Sequence, residues 1–386
     1  MIPAKLRKTL MAVVALALSM YSATCICVAG GEGSRLVGAE SAIPYEEYLS
    51  VYSGAEEPQD EIVIDGAAYV SANMPGLETL RDHGGSDGES VLTAGRGYIE
   101  WEFTVENPGF YNIEVEYCAA EGRSSALQRE LWINGELPFS EAAFLTFSRA
   151  WRDTEAVRID NQGNHLRPCQ AEAPIWQKAV LSDQMGNYQR PLLFYFGKGN
   201  NRIRLVSILE PMIIRSVRLF QMATPKSYAE VSADYGEKGF KAVAGFFEKV
   251  QGEDAYLKSS PTLFQVHDAG DPTVEPYHHV LIRLNAIGGD RWTQPGEWIA
   301  WHVEVPKDGL YKIALKAKQD YKRGSFTNRR LYVNGDIPFA EVDAIRFPYA
   351  INYEMRVLGD DAGEPYLFYL HEGVNEIRLE PVLGDL

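Results

Sequence analysis

Cysteine is scarce in this sequence, with four residues in 386. A small module stapled by disulfides is excluded at that density. No stretch is rich in Lys and Arg, and 53 acidic residues outweigh 37 basic ones for a formal charge of −16. No surface built to neutralise nucleic-acid phosphates or to adsorb to anionic lipid is expected. Beyond residue 30 no apolar run reaches the roughly twenty residues of a membrane-spanning helix. Helical patterns of 10–15 residues between strands are missing too, which disfavours a doubly wound α/β fold. Also absent are His-Glu-x-x-His, a phosphate-cradling Gly-rich loop before a helix, and Cys-x-x-Cys.

What the chain does contain is aromatic residues, 11 % of it, with 21 Tyr, 16 Phe and 7 Trp. That content fits folded, β-rich structure and excludes a disordered acidic tail. The length predicts two or three domains.

Residues 1–29 read as a secretory signal: Lys5, Arg7 and Lys8, then an apolar run from Thr9 to Met20, then small residues. Cleavage after Ala29 is the preferred reading, and lipidation at Cys25 is its rival. Removal deletes three basic groups and no acidic one, so the exported chain carries −19. Secreted or surface-tethered placement follows, with no transmembrane helix after cleavage. Cys118 and Cys169 then remain, and the sequence leaves open whether they form a disulfide or stand as unrelated thiols.

The chain repeats itself at an offset of two hundred. Tyr98-Ile-Glu-Trp-Glu-Phe-Thr-Val105 matches Trp298-Ile-Ala-Trp-His-Val-Glu-Val305, Gly109–Ile113 matches Gly309–Ile313, and Arg129–Phe139 matches Arg329–Phe339. The first copy carries extra residues near 150–175, after which Leu192–Tyr195 matches Tyr366–Tyr369 and Asn201–Leu205 matches Asn375–Leu379. Within each copy the period is two: Ile99, Trp101, Phe103 and Val105 alternate with Glu100, Glu102 and Thr104. Half-buried antiparallel strands require that pattern. Asn134-Gly135 and Asn334-Gly335 supply hairpin turns that need positive φ.

The expected fold is all-β: two tandem antiparallel β-sandwich domains of jelly-roll type joined by a short helical linker. The boundaries are 45–222 for the first sandwich, 223–245 for the linker and 246–386 for the second. Ser227-Tyr-Ala-Glu230 is a capping-box pattern that starts the linker helix, and the second domain's first strand is expected near Phe246 to Glu253. The strand-like Ile213–Phe220 of copy one has no counterpart after Leu379. The simplest expectation is that the chain is the front of a longer polypeptide.

Val250-Gln-Gly-Glu-Asp-Ala-Tyr256 resembles the opening strand of galactose-binding-like β-sandwiches found among carbohydrate-binding modules. The segments from Pro295 (PGEWIAWHVEVPKDGLYKI), Leu331 (LYVNGDIPF) and Gly363 (GEPYLFYLHEGVNEIRLEPVLG) resemble the region preceding the solute-binding domain of large extracellular solute-binding proteins of bacterial sugar ABC transporters. The resemblance covers most of the exported chain, more specifically in copy two. It implies a glycan-capturing, non-catalytic role at the cell surface, oligo- or polysaccharide as ligand, and an ABC-transporter permease as partner through a further C-terminal domain. It also implies a structural Ca²⁺ on Glu253, with Asp254 nearby, in the second domain only.

Sugars present apolar C–H faces and hydroxyl edges, so their sites pair an exposed aromatic with hydrogen-bonding side chains. Copy two concentrates such residues at Tyr277, His278, Arg291, Trp292, Arg323, Tyr349, Asn352 and Tyr353, and copy one adds Trp151, Arg152 and Trp176. Trp292 and Tyr353 interrupt the alternation, so ligand contact and packing both stay open for them. Trp101, Trp301, Tyr111 and Tyr311 lie in phase with the apolar face and read as core. Asp360-Asp361 sits in a Gly-rich turn, and His278-His279 fits a loop better than zinc. Two other readings remain: accessory modules of a truncated glycoside hydrolase or polysaccharide lyase, and a structural spacer without ligand.

Overall fold

The computed structural model describes residues 42–85 and 87–384; the signal segment, with Cys25 and Cys27, lies outside them. Helix α1 (Tyr45–Val51) precedes strands β1 (Ile62–Asp65), β2 (Ser71–Asn73), β3 (Glu78–Arg81), β4 (Glu89–Thr93), β5 (Gly97–Val105), β6 (Gly109–Ala119), β7 (Leu127–Ile133) and β8 (Leu145–Phe147). The extra residues of the first copy form β9 (Trp151–Asp153), β10 (Arg158–Ile159), β11 (His165–Leu166) and β12 (Gln170–Glu172). The copy then closes with β13 (Trp176–Val180), β14 (Leu193–Phe196), β15 (Gly199–Leu209) and β16 (Met212–Phe220).

These strands form two sheets, β13-β6-β16-β4-β3, with β1 on β16 and β14 on β6, and β2-β5-β15-β7-β8. The apolar phase of β5 and β6 points between the sheets, and Trp101, Tyr111, Phe139, Phe147, Phe194 and Phe196 are fully buried there. Burial of aromatics on this scale is the dominant favourable contribution to such a sandwich. Asn134 takes φ 52° and Gly135 φ 88°, as their two-residue hairpin turn demands.

The second copy contains α2 (Tyr228–Glu237), β17 (Leu257–Lys258), β18 (Gln265–Val266), β19 (Ala286–Ile287), β20 (Ile299–Val305), β21 (Gly309–Tyr311), β22 (Ala314–Gln319), β23 (Phe326–Val333), β24 (Ile345–Pro348), β25 (Ala350–Val357), β26 (Phe368–Leu370) and β27 (Gly373–Val382). The capping box at Ser227 forms, with Glu230 as its reciprocal partner. This helix is not a free connector, however. The Tyr228 hydroxyl accepts the Leu367 N–H at 3.0 Å and its ring packs on Phe339 at 4.9 Å. In the first copy, Tyr45 does the same with Leu193 at 2.8 Å and Phe139 at 4.8 Å. Glu141 and Glu341 accept the backbone N–H of Tyr45 and Tyr228 respectively. The repeat therefore begins at the helix, and the segment read as a linker is the opening of the second sandwich. No strand forms over Phe246 to Glu253, contrary to expectation.

The extra residues of copy one do more than decorate it. Strands β12 and β9 continue a sheet of the second sandwich in the order β12-β9-β17-β20-β27-β23-β24. Trp151 pairs with Lys258 in this ladder. Lys258 is 0 % exposed, and its ammonium donates to the Asp153 carboxylate at 2.6 Å. The turn between β10 and β11 also docks on the second copy: Arg283 donates to the Gly163 carbonyl at 2.6 Å, and His165 N–H to the Ile282 carbonyl at 3.0 Å. Cys118 is buried on β6, its thiol pushed up to about 11 by burial, whereas Cys169 is exposed; both are free, so no disulfide joins them.

Asp153→Ala strands a fully buried ammonium and is expected to cost about 3–5 kcal/mol. Arg81→Ala, which breaks an exposed pair with Glu89, should cost under about 1 kcal/mol. Urea denaturation of both variants measures the difference; equal, small losses would mean that the Lys258–Asp153 pair does not hold the joint.

Candidate functional site

The outward phase of the first sandwich's five-stranded sheet carries a polar and aromatic surface. On β5 it presents Tyr98, Glu100 and Glu102, on β15 Arg202 and Arg204, and on β7 Glu130 and Trp132. Register places Arg204 between Glu100 on one side and Trp132 on the other, and Arg202 opposite Glu102. Cross-strand neighbours on one face lie close enough for such side chains to touch. Arg204 bonds the Glu100 carboxylate at 2.9 Å and Arg202 bonds Glu102 at 2.6 Å. The Arg204 guanidinium also sits 4.3 Å from the Tyr98 ring centroid, a cation–π distance.

Trp132 is half-buried and fixed by its indole N–H, which donates to Glu130 at 2.9 Å. Asn134, at the hairpin turn, accepts the Arg202 N–H at 2.8 Å. Together Glu100, Glu102, Asn134, Gly135, Asn200, Arg202 and Arg204 line an open depression of about 520 Å³. Rigid aromatic edges beside pre-paired guanidinium and carboxylate groups suit a ligand with hydroxyls around an apolar face.

The second copy has the same face, and copy one covers it at Trp298 and Ala300. Glu100 is replaced there by Ala300, Tyr98 by Trp298 and Trp132 by Tyr332. Arg378 takes the place of Arg204 and lies 5.4 Å from the Trp298 ring and 4.7 Å from that of Tyr332. Ala150, Ala173 and Ile175 of copy one pack with Leu257, Trp298 and Ala300 into a separate apolar cluster. Tyr332 and Glu380 both have raised pKa values, for which burial is the main cause. Loss of a carboxylate at position 300 makes this face compatible with a dry contact.

The residues singled out from sequence lie outside this face. Trp292 packs on the second core, with the Arg329 guanidinium 4.5 Å from its ring and its carbonyl accepting from that arginine at 3.1 Å. Tyr353 is tied to Lys318 at 5.2 Å, and its hydroxyl is pushed up to about 12 by burial and by Asp268. Lys318 in turn bridges Asp268 and Asp320 at 2.6 and 3.0 Å. Trp151 is buried in the shared sheet, with Arg152 exposed beside it. Trp176 donates to the His83 carbonyl at 3.0 Å. His278 Nδ1 accepts the N–H groups of Val280 and Leu281. Arg291 lies 4.5 Å from the Phe264 ring, which Arg167 approaches to 3.5 Å. Tyr277, Arg323 and Asn352 are exposed and Tyr349 is half-buried.

Tyr98 and Trp132 were not singled out. The signal was present: Trp132 lies between Leu131 and Ile133, and Tyr98 is two residues before Glu100, so both occupy the polar phase of their strands.

Glu253 is 5 % exposed, makes no ion pair among the described residues, and has its carboxyl pushed up to about 7 chiefly by burial. Asp254 beside it is also raised, by burial and then by Asp153. A buried carboxylate without a cation, with a second alongside, fits the hard oxygen donors that calcium takes. The described residues contain no group of three or more His, Cys, Asp or Glu able to share an ion, so backbone carbonyls and water would complete any shell. The indoles of Trp101 and Trp301 donate to the carbonyls of Gly66 and Gly252, which aligns Glu253 with Ala67 of copy one.

No protein-family model matches the chain, and no curated protein matches it. Solved structures similar to it include the C-terminal family 6 carbohydrate-binding module of a marine laminarinase from Zobellia galactanivorans, at 14 % identity and TM-score 0.25, covering 42 % of this chain and 100 % of that one. A family 35 carbohydrate-binding module from Clostridium thermocellum matches at 16 % identity and TM-score 0.25, covering 42 % and 99 %. A family 35 module from Cellvibrio japonicus matches at 15 % identity and TM-score 0.26, covering 42 % and 95 %. The fold of this chain is all-β, with paired sheets of sandwich type.

Because Trp292 is partly buried against the second core, Trp292→Ala is expected to destabilise the protein by about 3 kcal/mol, the low end for removing a packed Trp. Thermal and urea unfolding measure it; an unchanged midpoint would return Trp292 to the surface.

Proposed function

We propose that the chain is a non-catalytic, extracytoplasmic glycan-binding region, and that its first sandwich binds sugar through the Tyr98–Arg204–Trp132 face. The observation that carries this reading is the asymmetry of the repeat. Of two homologous sheet faces, that of copy two is covered by the neighbouring copy at Trp298 and Ala300, while that of copy one keeps Tyr98, Trp132, Arg202 and Glu102 at least partly open to solvent. The finer reading, that this region serves a bacterial sugar ABC-transporter solute-binding protein and reaches a permease through a further domain, rests on the sequence resemblance. Placement outside the cytoplasm rests on the signal-like residues 1–29.

A glycan array followed by calorimetry on the binder tests it. Tyr98→Ala and Trp132→Ala should each weaken binding about tenfold, the effect of losing an aromatic stacking partner. Tyr353→Ala, remote from that face, should leave affinity unchanged. Absence of any bound glycan rejects the role, and full binding by Trp132→Ala rejects the face.

We further propose that Glu253 and Asp254 hold a structural Ca²⁺. Calcium at a hundred times its Kd should stabilise the protein by about 2.7 kcal/mol. A melting temperature that is indifferent to calcium and to EDTA, in the parent and in Glu253→Gln alike, would reject the site.

A further inference from the structure

The β10–β11 hairpin of the first copy and the segment Val280–Leu284 of the second are joined by main-chain groups. The Asn164 side-chain carbonyl accepts the Ile282 N–H at 3.0 Å, and the Ile282 carbonyl accepts the His165 N–H at 3.0 Å. The Arg283 guanidinium donates to the Gly163 carbonyl at 2.6 Å. A Cβ at Gly163 would come within 3.3 Å of the Leu281 side chain, so the turn lies directly against the segment. Residues 280–284 belong to no strand. Their N–H groups therefore take acceptors from outside a ladder.

Two imidazoles supply three of those acceptors, one ring from each copy. His278 Nδ1 accepts the N–H groups of Val280 and Leu281 at 3.1 and 3.0 Å, and His165 Nδ1 accepts that of Leu284 at 3.3 Å. A ring nitrogen that accepts carries no proton, so both rings are neutral with the proton on Nε2. Protonation would turn each Nδ1 into a donor aimed at an N–H. His267 is different: its Nδ1 stands 2.7 Å from the Arg283 carbonyl and 3.2 Å from the Arg283 nitrogen, so it has a partner in either state.

The charged surroundings oppose a cation at either ring. Burial, and after it the Arg283 charge, holds His165 below the ordinary imidazole range. His279 stacks on His278 with ring centroids 4.7 Å apart, so two charged rings there would repel. On the hairpin itself, Asp160 is committed to the Gln162 and Asn164 N–H groups at 2.8 Å each, and Arg158 pairs with Glu155 at 3.0 Å. Among the described residues the histidine that lies within ion-pair distance of a carboxylate is His371, beside Asp308. We propose that this contact is an acid-sensitive clasp between the two copies, closed while His165 and His278 are neutral and released when their surroundings acidify. The closed state binds fewer protons than the open one, so the clasp is complete above about pH 6.5 and is lost as the pH falls below it. Release is local, because the β9–β17 ladder contains no histidine.

Hydrogen exchange of the intact protein at about pH 7.5 and about pH 5, corrected for the intrinsic pH dependence of exchange, tests the clasp. Protection of the Leu281 and Leu284 amides should fall about tenfold at the lower pH, the effect of one net hydrogen bond lost at each. The amides of β20 should keep theirs. The double variant His165→Asn, His278→Asn retains a side-chain oxygen near each Nδ1 position and cannot be protonated, so its protection should be the same at both pH values. In the parent protein the midpoint of the change should follow the titration of these two imidazoles read by NMR, a measurement that stands even where the double variant does not fold. Protection that does not change with pH, a midpoint in the carboxylate range below about pH 4.5, pH dependence retained by the folded double variant, or parallel loss of protection in β20 overturns the proposal.

Discussion

The pairing of β9 with β17 is the contact on which the arrangement of the molecule turns. A short strand from the first repeat adds to a sheet of the second, and the burial of Lys258 beside it is tolerable only because Asp153 supplies the countercharge. An isolated ammonium in that position would carry a large desolvation penalty. The ion pair therefore makes the joint conditional: the backbone ladder and the charge pair form together. Around it, Ala150, Ala173 and Ile175 find their apolar partners in Leu257, Trp298 and Ala300.

This joint explains why two copies of one sequence pattern have diverged in surface chemistry. A face enclosed by a neighbour favours Ala at position 300, whereas a face left in water retains Glu at position 100 with two arginines to pair it. The arginine at the centre is common to both, as Arg204 and Arg378, and so is its aromatic companion. What differs is the companion ring, buried at Trp298 and only half-buried at Tyr98. The proposed sugar site is thus a surface feature whose counterpart in the second copy is covered at Trp298 and Ala300.

Much of the fold was legible from spacing alone. Period-two alternation in Ile99–Val105, the Asn-Gly turns and the constant offset between copies depend on local rules, which the tertiary structure does not override here. The in-phase tryptophans, Trp101 and Trp301, donate their indole N–H inward in both copies. Reading failed where the cause was non-local. The helix at Tyr228 looked like a connector because its role depends on Leu367 and Phe339, more than a hundred residues away. The segment 246–253 forms no strand, and among the described residues none pairs with it. For Trp292 and Tyr353, which break the alternation, the sequence left ligand contact and packing both open; Arg329 and Lys318, distant in sequence, supply their partners. Tyr98 and Trp132 were passed over in favour of loop aromatics, although their polar phase marked them as outward-facing.

The cover that one repeat lays over the next also gives the pair a direction. Only the first copy carries the β9–β12 segment, so it can seal a neighbour that follows it, while the second copy has no equivalent arm to extend to another. Such an arrangement is polar: order matters, the two units are not interchangeable, and exchanging their positions would leave the apolar Ala300 face wet and the charged Glu100 face crowded against protein.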